Sequence, residues 1–219
     1  MARSIGFTDI DFDKDGKQVE DWEMGLVSID RQPKVSFFAV QKIFRSAPYF
    51  PLARRPKVSV VVARYNGART LKQCLESLQG LNYPDYEIIL VDDGSTDTTQ
   101  KIVEEVGRGA PYPALVNVWH EKNFGLSVAR NTGIAAATGE IVAFTDSDCR
   151  ADEDWLYYLV GSLEGSEFVG VGGPNLLPPE GSRVAAAVMV SPGGPAHVML
   201  TDREAERIPG CNMAFYKQA

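Results

Sequence analysis

The sequence has few cysteines, no long apolar run and no basic tract, and each of these absences excludes a class of protein. Its three cysteines, Cys74, Cys149 and Cys211, are widely spaced and form no Cys-x-x-Cys pair. This pattern favours reduced thiols in a cytoplasmic protein over a disulfide framework. No apolar run approaches the roughly 18 residues of a membrane-spanning helix, and the N-terminus lacks a secretory signal. The net charge of −7 argues against nucleic acid as the main partner.

The residues that are present have the composition and patterning of an α/β domain. Apolar residues make up 44% of the 219 residues and charged residues 23%, as in ordinary globular proteins. From Lys57 onward, short apolar runs alternate with amphipathic helical patterns, which predicts a mainly parallel sheet with helices on both faces. Residues 1–55 lack this regularity, so we expect a short N-terminal appendage before a domain over residues 56–219. Pro51 and Pro56 mark the junction.

One short stretch of the sequence ends in two carboxylates. After Gly139 comes a run of four apolar residues, 141–144, and then Asp146 and Asp148. Such a run is typical of a strand buried on both faces of a parallel sheet, and ligands bind at the carboxyl ends of these strands. Two carboxylates there predict a site for Mg²⁺ or Mn²⁺ on a diphosphate. The alternative is that both aspartates cap the next helix.

Two other predicted strands also end in polar residues. The first ends at Ala63, Tyr65 and Asn66, and the second ends at Asp92 and Asp93. Because solvated turns do not require such residues at several strand ends, we expect them to share one edge of the sheet with the Asp-x-Asp pair. A carboxylate at the second strand end can accept a hydrogen bond from a base N–H or a ribose hydroxyl. The alternative is an Asp-Gly turn stabilised by its own backbone.

Five motifs follow one another along the chain. They are Tyr65-Asn66 after a β-branched strand, Asp92-Asp93-Gly94-Ser95-Thr96-Asp97, Asn123-Phe124-Gly125 with Ala129-Arg130-Asn131, Asp146-Ser147-Asp148, and Gly210-Cys211-Asn212-Met213-Ala214-Phe215. In this order they resemble the family 2 glycosyltransferases of the GT-A fold. The resemblance implies transfer of a sugar from a nucleotide diphospho-sugar to a glycan or lipid-linked acceptor, assisted by Mn²⁺ or Mg²⁺. The sequence departs from the family pattern at Arg64, where a small or hydroxyl residue is common.

The resemblance also implies roles for individual residues. Those that would form the donor pocket are Ala63, Tyr65, Asn66, Asp92, Asp93, Arg130, Asn131, Asp146 and Ser147. Asp148 would ligate the metal, and Asp146 would face the ribose or the metal. Arg130 can add a guanidinium fork to a phosphate. Those that would border the acceptor side are Gly210, Cys211 and Asn212.

The catalytic base is the part of the family pattern that this sequence does not supply. In inverting members of the family an acidic general base follows the last motif, so we expect this base beyond Ala219 and the chain to be incomplete at its C-terminus. Two functions stay open, namely a glycosyltransferase and a non-catalytic fragment that binds a nucleotide sugar. A nucleotidyltransferase ranks lower, because no glycine-rich, lysine-bearing phosphate loop follows the first strand.

The N-terminal appendage has a resemblance of its own. The segments Trp22-Glu23-Met24-Gly25-Leu26-Val27 and Asp30-Arg31-Gln32-Pro33-Lys34 are similar to the last strand and helix of a (β/α)-barrel glycoside hydrolase. This resemblance implies that the chain is an excerpt of a longer fusion protein. The alternative is a plain linker with one helix.

Overall fold

The computed structural model describes the chain in two compact units, Met1–Pro51 and Leu52–Ala219. The residues it describes are 12–14, 17–19, 26–28, 30–46, 52–107, 113–177, 181, 183–189, 198–199 and 204–219. In the first unit, strands β1 (Phe12–Lys14) and β2 (Lys17–Val19) pair antiparallel, and helix α1 spans Val35–Ser46. Most of the segment 22–27, which resembles a barrel strand, lies outside the described residues.

The second unit contains the elements that build the site. Its strands are β3 (Val58–Arg64), β4 (Tyr86–Asp92), β5 (Ala114–Trp119), β6 (Ile141–Asp146), β7 (Gly170–Gly172), β8 (Val198–Met199), β9 (Ala205–Arg207) and β10 (Met213–Tyr216). Its helices are α2 (Ala68–Gln79), α3 (Thr99–Gly107), α4 (Leu126–Ala136), α5 (Trp155–Glu164) and α6 (Arg183–Met189). Among the helices that the structure describes, none has both the length and the apolar character needed to cross a bilayer.

Six of these strands form one sheet in the order β5-β4-β3-β6-β10-β7. The first four in that order are parallel, whereas β10 runs antiparallel to both β6 and β7. The predicted α/β class with a mainly parallel sheet is therefore confirmed. In register, Ala63 of β3 lies opposite Asp146 of β6, and Arg64 of β3 lies opposite Asp92 of β4. The carboxyl ends of three strands thus meet at one edge.

Helices cover both faces of this sheet. Strands β3 and β4 are buried over their whole length, and because successive side chains point to opposite faces, each strand contributes to two cores. The core against α2 and α5 includes Leu71, Leu75, Leu78, Ile88, Leu90, Leu156 and Leu163. The core against α4 includes Val61, Ala63, Ile89, Val91, Ala129, Val142 and Phe144. This two-sided burial is the reason for the unbroken apolar runs in the sequence.

Helix α4 lies directly on the central strand. A Cβ atom at Gly133 of α4 would collide with the side chain of Val61 in β3, so only glycine permits this approach of backbone to strand. The packing holds the first turn of α4, which begins at Leu126, beside the carboxyl edge of the sheet.

Candidate functional site

A cavity opens at the carboxyl ends of β3 and β6. Its volume is about 650 Å³, and its lining comprises residues 63–67, 69, 70, 93, 123, 125, 126, 129 and 146–148. This volume lies within the range of small-molecule sites. A location beyond the carboxyl ends of parallel strands is the usual one for ligands of open α/β sheets.

The cavity brings together residues from all three predicted strand ends. Of the residues to which the sequence analysis gave a role at the donor, metal or acceptor site, those in its lining are Ala63, Tyr65, Asn66, Asp93, Asp146, Ser147 and Asp148. Those not in its lining are Asp92, Arg130, Asn131, Gly210, Cys211 and Asn212. Of the lining residues, Arg69 and Thr70 in the first turn of α2 carried no sequence signal. The packing of α2 against the sheet brings these two residues to the cavity.

Asp146 and Asp148 form the acidic part of the lining. Asp146 is the last residue of β6 and is half-buried, whereas Asp148 is exposed. The backbone N–H of Cys149 donates to the carbonyl oxygen of Asp146 at 3.0 Å, which closes the segment into a turn. Burial raises the pKa of the Asp146 carboxyl above its ordinary value; Arg130 opposes this shift, and the nearby charge of Asp148 adds to it. A cation between the two carboxylates would relieve both costs.

Arg130 is engaged with the protein itself. Its Nη2 donates to Oδ1 of Asp146 at 3.2 Å and to the carbonyl oxygen of Gly210 at 3.0 Å. A Cβ atom at Gly210 would lie 2.8 Å from Nη2 of Arg130, so the guanidinium packs against the Gly210 backbone. This side chain therefore connects the end of β6 with the turn before β10.

Asp92 lies behind the cavity wall because Arg64 occupies its carboxylate. Oδ2 of Asp92 lies 3.2 Å from Nη2 of Arg64, and its Oδ1 accepts a hydrogen bond from the Ser95 N–H at 2.8 Å. The side chain of Arg64 is 0% exposed and also donates to Oγ of Ser95. The departure from the family pattern at Arg64 thus places a buried cation against the first aspartate of the Asp-Asp pair.

Asp93, in contrast, lines the cavity and holds the loop before α4. Its carboxylate accepts hydrogen bonds from the backbone N–H groups of Phe124 and Gly125. Its Oδ1 also lies 2.7 Å from Nδ1 of His120, whose Nε2 lies 3.0 Å from Oγ1 of Thr132. Burial by itself would raise the pKa of Asp93, but these hydrogen bonds outweigh burial and lower it. His120 had no motif around it, and its one sequence signal is its place directly after a predicted strand.

The Tyr65-Asn66 turn is held to the loop after β4. Asn66 has φ 52°, a left-handed conformation that asparagine tolerates better than most residues. Its Oδ1 accepts a hydrogen bond from the Thr96 N–H at 2.8 Å, and its own N–H donates to Oγ of Ser95. Gly94, with φ 75°, lies so near the next loop that a Cβ atom would be 2.5 Å from the carbonyl carbon of Lys122. The motifs around residues 66 and 94 therefore shape one rim of the cavity.

The residues expected on the acceptor side are largely occupied by protein contacts. Oδ1 of Asn212 accepts a hydrogen bond from Nε1 of Trp155 at 2.8 Å, and its Nδ2 donates to the carbonyl oxygen of Pro174 at 2.9 Å. Sγ of Cys211 donates to Oδ1 of Asn175 at 3.5 Å, and the nearby thiol of Cys149 lowers the pKa of Cys211 to about 7 while its own pKa is raised. Asn212 thus ties the turn before β10 to α5 and to the segment after β7.

The mainly parallel α/β sheet and the carboxylates at adjacent strand ends beside one cavity agree with the GT-A fold that the motifs predicted. The model of the family described as glycosyl transferase family 2 matches residues 59–208. The chain belongs to this family, as its motifs predicted.

Two curated relatives illustrate the similarity of sequence. Glycosyltransferase AglE of Haloferax volcanii is 36% identical over 120 residues, which are 54% of this chain and 39% of the relative. The putative glycosyltransferase EpsH of Bacillus subtilis is 44% identical over 101 residues, which are 46% of this chain and 27% of the relative. The chain thus matches less than half the length of these relatives.

Two solved structures illustrate the similarity of fold. The mannosyltransferase PcManGT of Pyrobaculum calidifontis, in complex with GDP-Man and Mn²⁺, has a TM-score of 0.57 and 25% sequence identity. The similarity covers 84% of this chain and 52% of PcManGT. Residues 1–349 of TarS of S. aureus have a TM-score of 0.53 and 22% identity, and the similarity covers 74% of this chain and 47% of that TarS chain. Both likenesses agree with the GT-A fold.

Proposed function

We propose that the cavity binds a nucleotide diphospho-sugar with a divalent cation, and that the chain is the donor-binding part of a glycosyltransferase. The observation that carries this proposal is the convergence of Asp146, Asp148 and Asp93 with the Tyr65-Asn66 turn on one cavity. Family membership and the similarity to PcManGT, which was solved with GDP-Man and Mn²⁺, support it. We expect the acceptor to be the hydroxyl of a glycan or of a lipid-linked sugar.

The chemistry of the lining fits a hard divalent cation. Carboxylate oxygens are the ligands that Mg²⁺ and Mn²⁺ prefer, and we assign Asp148 and Asp146 to this role. Burial and the neighbouring charge of Asp148 raise the pKa of Asp146, because both destabilise its negative charge. A bound cation would stabilise the charge that builds up on the departing nucleoside diphosphate. Mn²⁺ is favoured by the PcManGT complex, and Mg²⁺ is the alternative.

The nucleoside is assigned to the other half of the cavity. Its wall there comprises Ala63, Tyr65, Asn66 and Asp93, and the hydrogen bonds of Asp93 and Asn66 keep this wall in place. Asp92 is assigned an indirect role, because its carboxylate holds Arg64 beneath this wall. Rigid support of this kind is what positions a bound donor for reaction.

Sugar transfer also requires a general base. The oxygen of the acceptor hydroxyl forms a bond to the sugar, the bond from the sugar to the diphosphate breaks with its electron pair on the diphosphate, and the hydroxyl proton goes to the base. The carboxylates in the described lining are Asp93, which is hydrogen-bonded to His120, and the two assigned to the metal. This favours a second candidate function, in which this chain binds the donor and metal without transferring the sugar by itself.

The location of the reaction is proposed from the thiols. Cys74, Cys149 and Cys211 are all unpaired, although Cys149 and Cys211 are in contact. Cysteines that form no disulfide are typical of proteins in a reducing compartment. We therefore propose a cytoplasmic protein.

Calorimetric titration with UDP-sugars and GDP-sugars tests the proposal, with and without Mn²⁺. We expect donor binding that requires the metal and that Asp148→Asn abolishes, because this variant removes a ligand charge with little change in volume. Asp85→Asn is the matched control, since Asp85 is an exposed carboxylate just before β4, at the opposite edge of the sheet. Equal donor affinity of wild type and Asp148→Asn in Mn²⁺ would contradict the metal assignment.

A second measurement separates the two candidate functions. Release of UDP or GDP from the corresponding sugar donor is followed in the presence of wild-type chain, Mn²⁺ and glycan or lipid-linked acceptors. Release above the Asp148→Asn background supports a complete transferase or hydrolase. Metal-dependent binding without release supports the donor-binding part alone.

A further inference from the structure

Arg69 is an exposed cation in the lining of the cavity, and sequence motifs did not single it out. It lies in the first turn of α2 and lines the cavity together with Asp146 and Asp148. With the residues that the structure describes, its guanidinium forms neither a hydrogen bond nor an ion pair. In a chain with net charge −7, an unpaired arginine beside carboxylates needs an explanation.

Local helix energetics do not explain this arginine. A positive charge near the N-terminus of a helix is opposed by the helix dipole, and α2 has no acidic residue in its own first turn. The carboxylate of Asp97 lies at this end, but it accepts from the Ala68 N–H and lies 3.7 Å from Nη2 of Arg64. Lys72, on the next turn, differs in this respect because its Nζ lies 3.9 Å from Oε1 of Glu76. An exposed cation on a helix is commonly stabilised by an oppositely charged residue one turn away. Lys72 has such a partner on α2, and Arg69 does not.

The first turn of α2 lies against the metal side of the cavity. A Cβ atom at Gly67, the residue before α2, would lie 3.0 Å from Oγ of Ser147. Ser147 separates the two aspartates assigned to the metal. The turn is also anchored from its other side, because the Ala68 N–H donates to Oδ2 of Asp97 at 3.0 Å. Arg69 thus projects from a fixed turn beside the place assigned to the cation.

The other arginine of the lining is not available in the same way. The side chain of Arg64 is 0% exposed and is paired with Asp92. Arg130, outside the lining, is engaged with Asp146 and Gly210. Nε and Nη1 of Arg64 have no hydrogen-bond partner among the described residues, but they are fully buried. Within the described lining, Arg69 is therefore the exposed cation, which an anionic ligand can reach.

We propose that Arg69 binds the diphosphate of the nucleotide sugar, an inference that rests on the function proposed above. A diphosphate and two carboxylates together carry more negative charge than one divalent cation offsets, and a guanidinium can donate two parallel hydrogen bonds to phosphate oxygens. Because negative charge on the diphosphate grows as the sugar leaves, the contact strengthens along the reaction. Arg69 thereby both holds the donor and stabilises the leaving group.

The test compares ligands with and without phosphates. The affinities of UDP, GDP, uridine and guanosine are measured by calorimetry in Mn²⁺, without acceptor, for wild type and for Arg69→Gln. We expect Arg69→Gln to weaken the better-bound diphosphate about tenfold or more, as for loss of a hydrogen bond between charged groups. The matching nucleoside should bind equally to both proteins. Arg69→Lys should be intermediate, because it keeps the charge and loses the fork.

Lys72→Gln is the matched control, since it removes the same charge one turn further along α2. We expect it to leave the diphosphate affinity unchanged. An equal loss in Lys72→Gln would overturn the proposal in favour of a general charge effect. Glutamine has a helix propensity close to that of arginine, so far-UV circular dichroism and the melting temperature of both variants should match wild type.

The remaining outcomes distinguish this inference from the function on which it rests. If wild type and Arg69→Gln bind the diphosphate equally, the inference is overturned while the proposed function stands. The same result is expected if Arg69 binds a phosphate of the acceptor instead. If Arg69→Gln loses nucleoside affinity as well, Arg69 supports the pocket rather than the diphosphate, which also overturns it. If wild type binds no nucleoside diphosphate, the proposed function fails and the inference fails with it.

Discussion

Arg130 and Asp146 are joined by a hydrogen bond of 3.2 Å from Nη2 to Oδ1, and the same nitrogen donates to the carbonyl oxygen of Gly210 at 3.0 Å. The two residues belong to α4 and β6, and Gly210 lies in the turn before β10. One guanidinium therefore links the carboxylate assigned to the metal with the segment expected on the acceptor side. We interpret Arg130 as a positioning residue rather than as a phosphate ligand.

This interpretation predicts an effect of Arg130→Gln on metal binding. Without the guanidinium, Asp146 loses its orienting partner and the Gly210 turn loses its anchor. Changes to groups that orient metal ligands lower metal affinity about 10- to 100-fold, and we expect a loss in this range. Mn²⁺ binding is measured by electron paramagnetic resonance in the presence of UDP or GDP. Lys101→Gln, the same charge change on an exposed part of α3, should leave it unaltered; a similar loss there would argue against a local role.

Two glycines beside the site should differ in their tolerance of alanine. Gly94 and Gly125 both have positive φ, 75° and 94°. A Cβ at Gly94 would lie 2.5 Å from backbone of Lys122, whereas a Cβ at Gly125 meets nothing within 4 Å. Gly125→Ala should therefore cost only backbone strain, about 1–3 kcal/mol, and Gly94→Ala should cost more because a clash is added. Urea unfolding of both variants checks this order, and a larger cost for Gly125→Ala would refute it.

A buried carboxylate at the opposite edge of the sheet should govern acid stability without affecting donor binding. Glu87 in β4 accepts hydrogen bonds from Oγ of Ser59 at 2.6 Å and from the N–H and Oγ1 of Thr138 at 2.8 Å. Burial raises its pKa, but these bonds and Lys57 outweigh burial and lower the pKa below its ordinary value. Loss of a charged acceptor from a buried donor such as Ser59 typically costs about 1–3 kcal/mol, and we expect this for Glu87→Gln at neutral pH.

The pH dependence of this effect follows from the direction of the pKa shift. A carboxyl with a lowered pKa in the folded state contributes stability that is complete above its unfolded pKa, about 4.3 for glutamate, and that is lost as the pH falls through the folded pKa. The difference in unfolding free energy between wild type and Glu87→Gln should therefore shrink as the pH falls below about 4.3. Urea unfolding between pH 3 and pH 7 measures it, and a constant difference across this range would count against the assignment. The affinity for UDP or GDP should be the same in both proteins.

The pair Asp92-Asp93 illustrates where sequence reasoning stops. The pattern around these residues predicted a strand end with two carboxylates at the ligand edge, and β4 does end at Asp92. The different environments of the two aspartates depend on partners distant in the chain. Asp92 is paired with Arg64, 28 residues before it. Asp93 accepts hydrogen bonds from Phe124 and Gly125, more than 30 residues after it. Local patterns carry no information about such pairings, because side-chain direction is decided when the loops pack together.

By itself the sequence determined the alternation of strands and helices from β3 to α5, the two-sided burial of β3 and β4, and the family, because hydrophobic periodicity and short motifs are local properties of the chain. Only the tertiary structure decided four other features. Strand β10 lies antiparallel between β6 and β7, Asp92 is enclosed, Arg130 contacts Gly210, and Arg69 faces the cavity. Each depends on contacts between segments far apart in the chain, and such contacts form only when the helices pack onto the finished sheet.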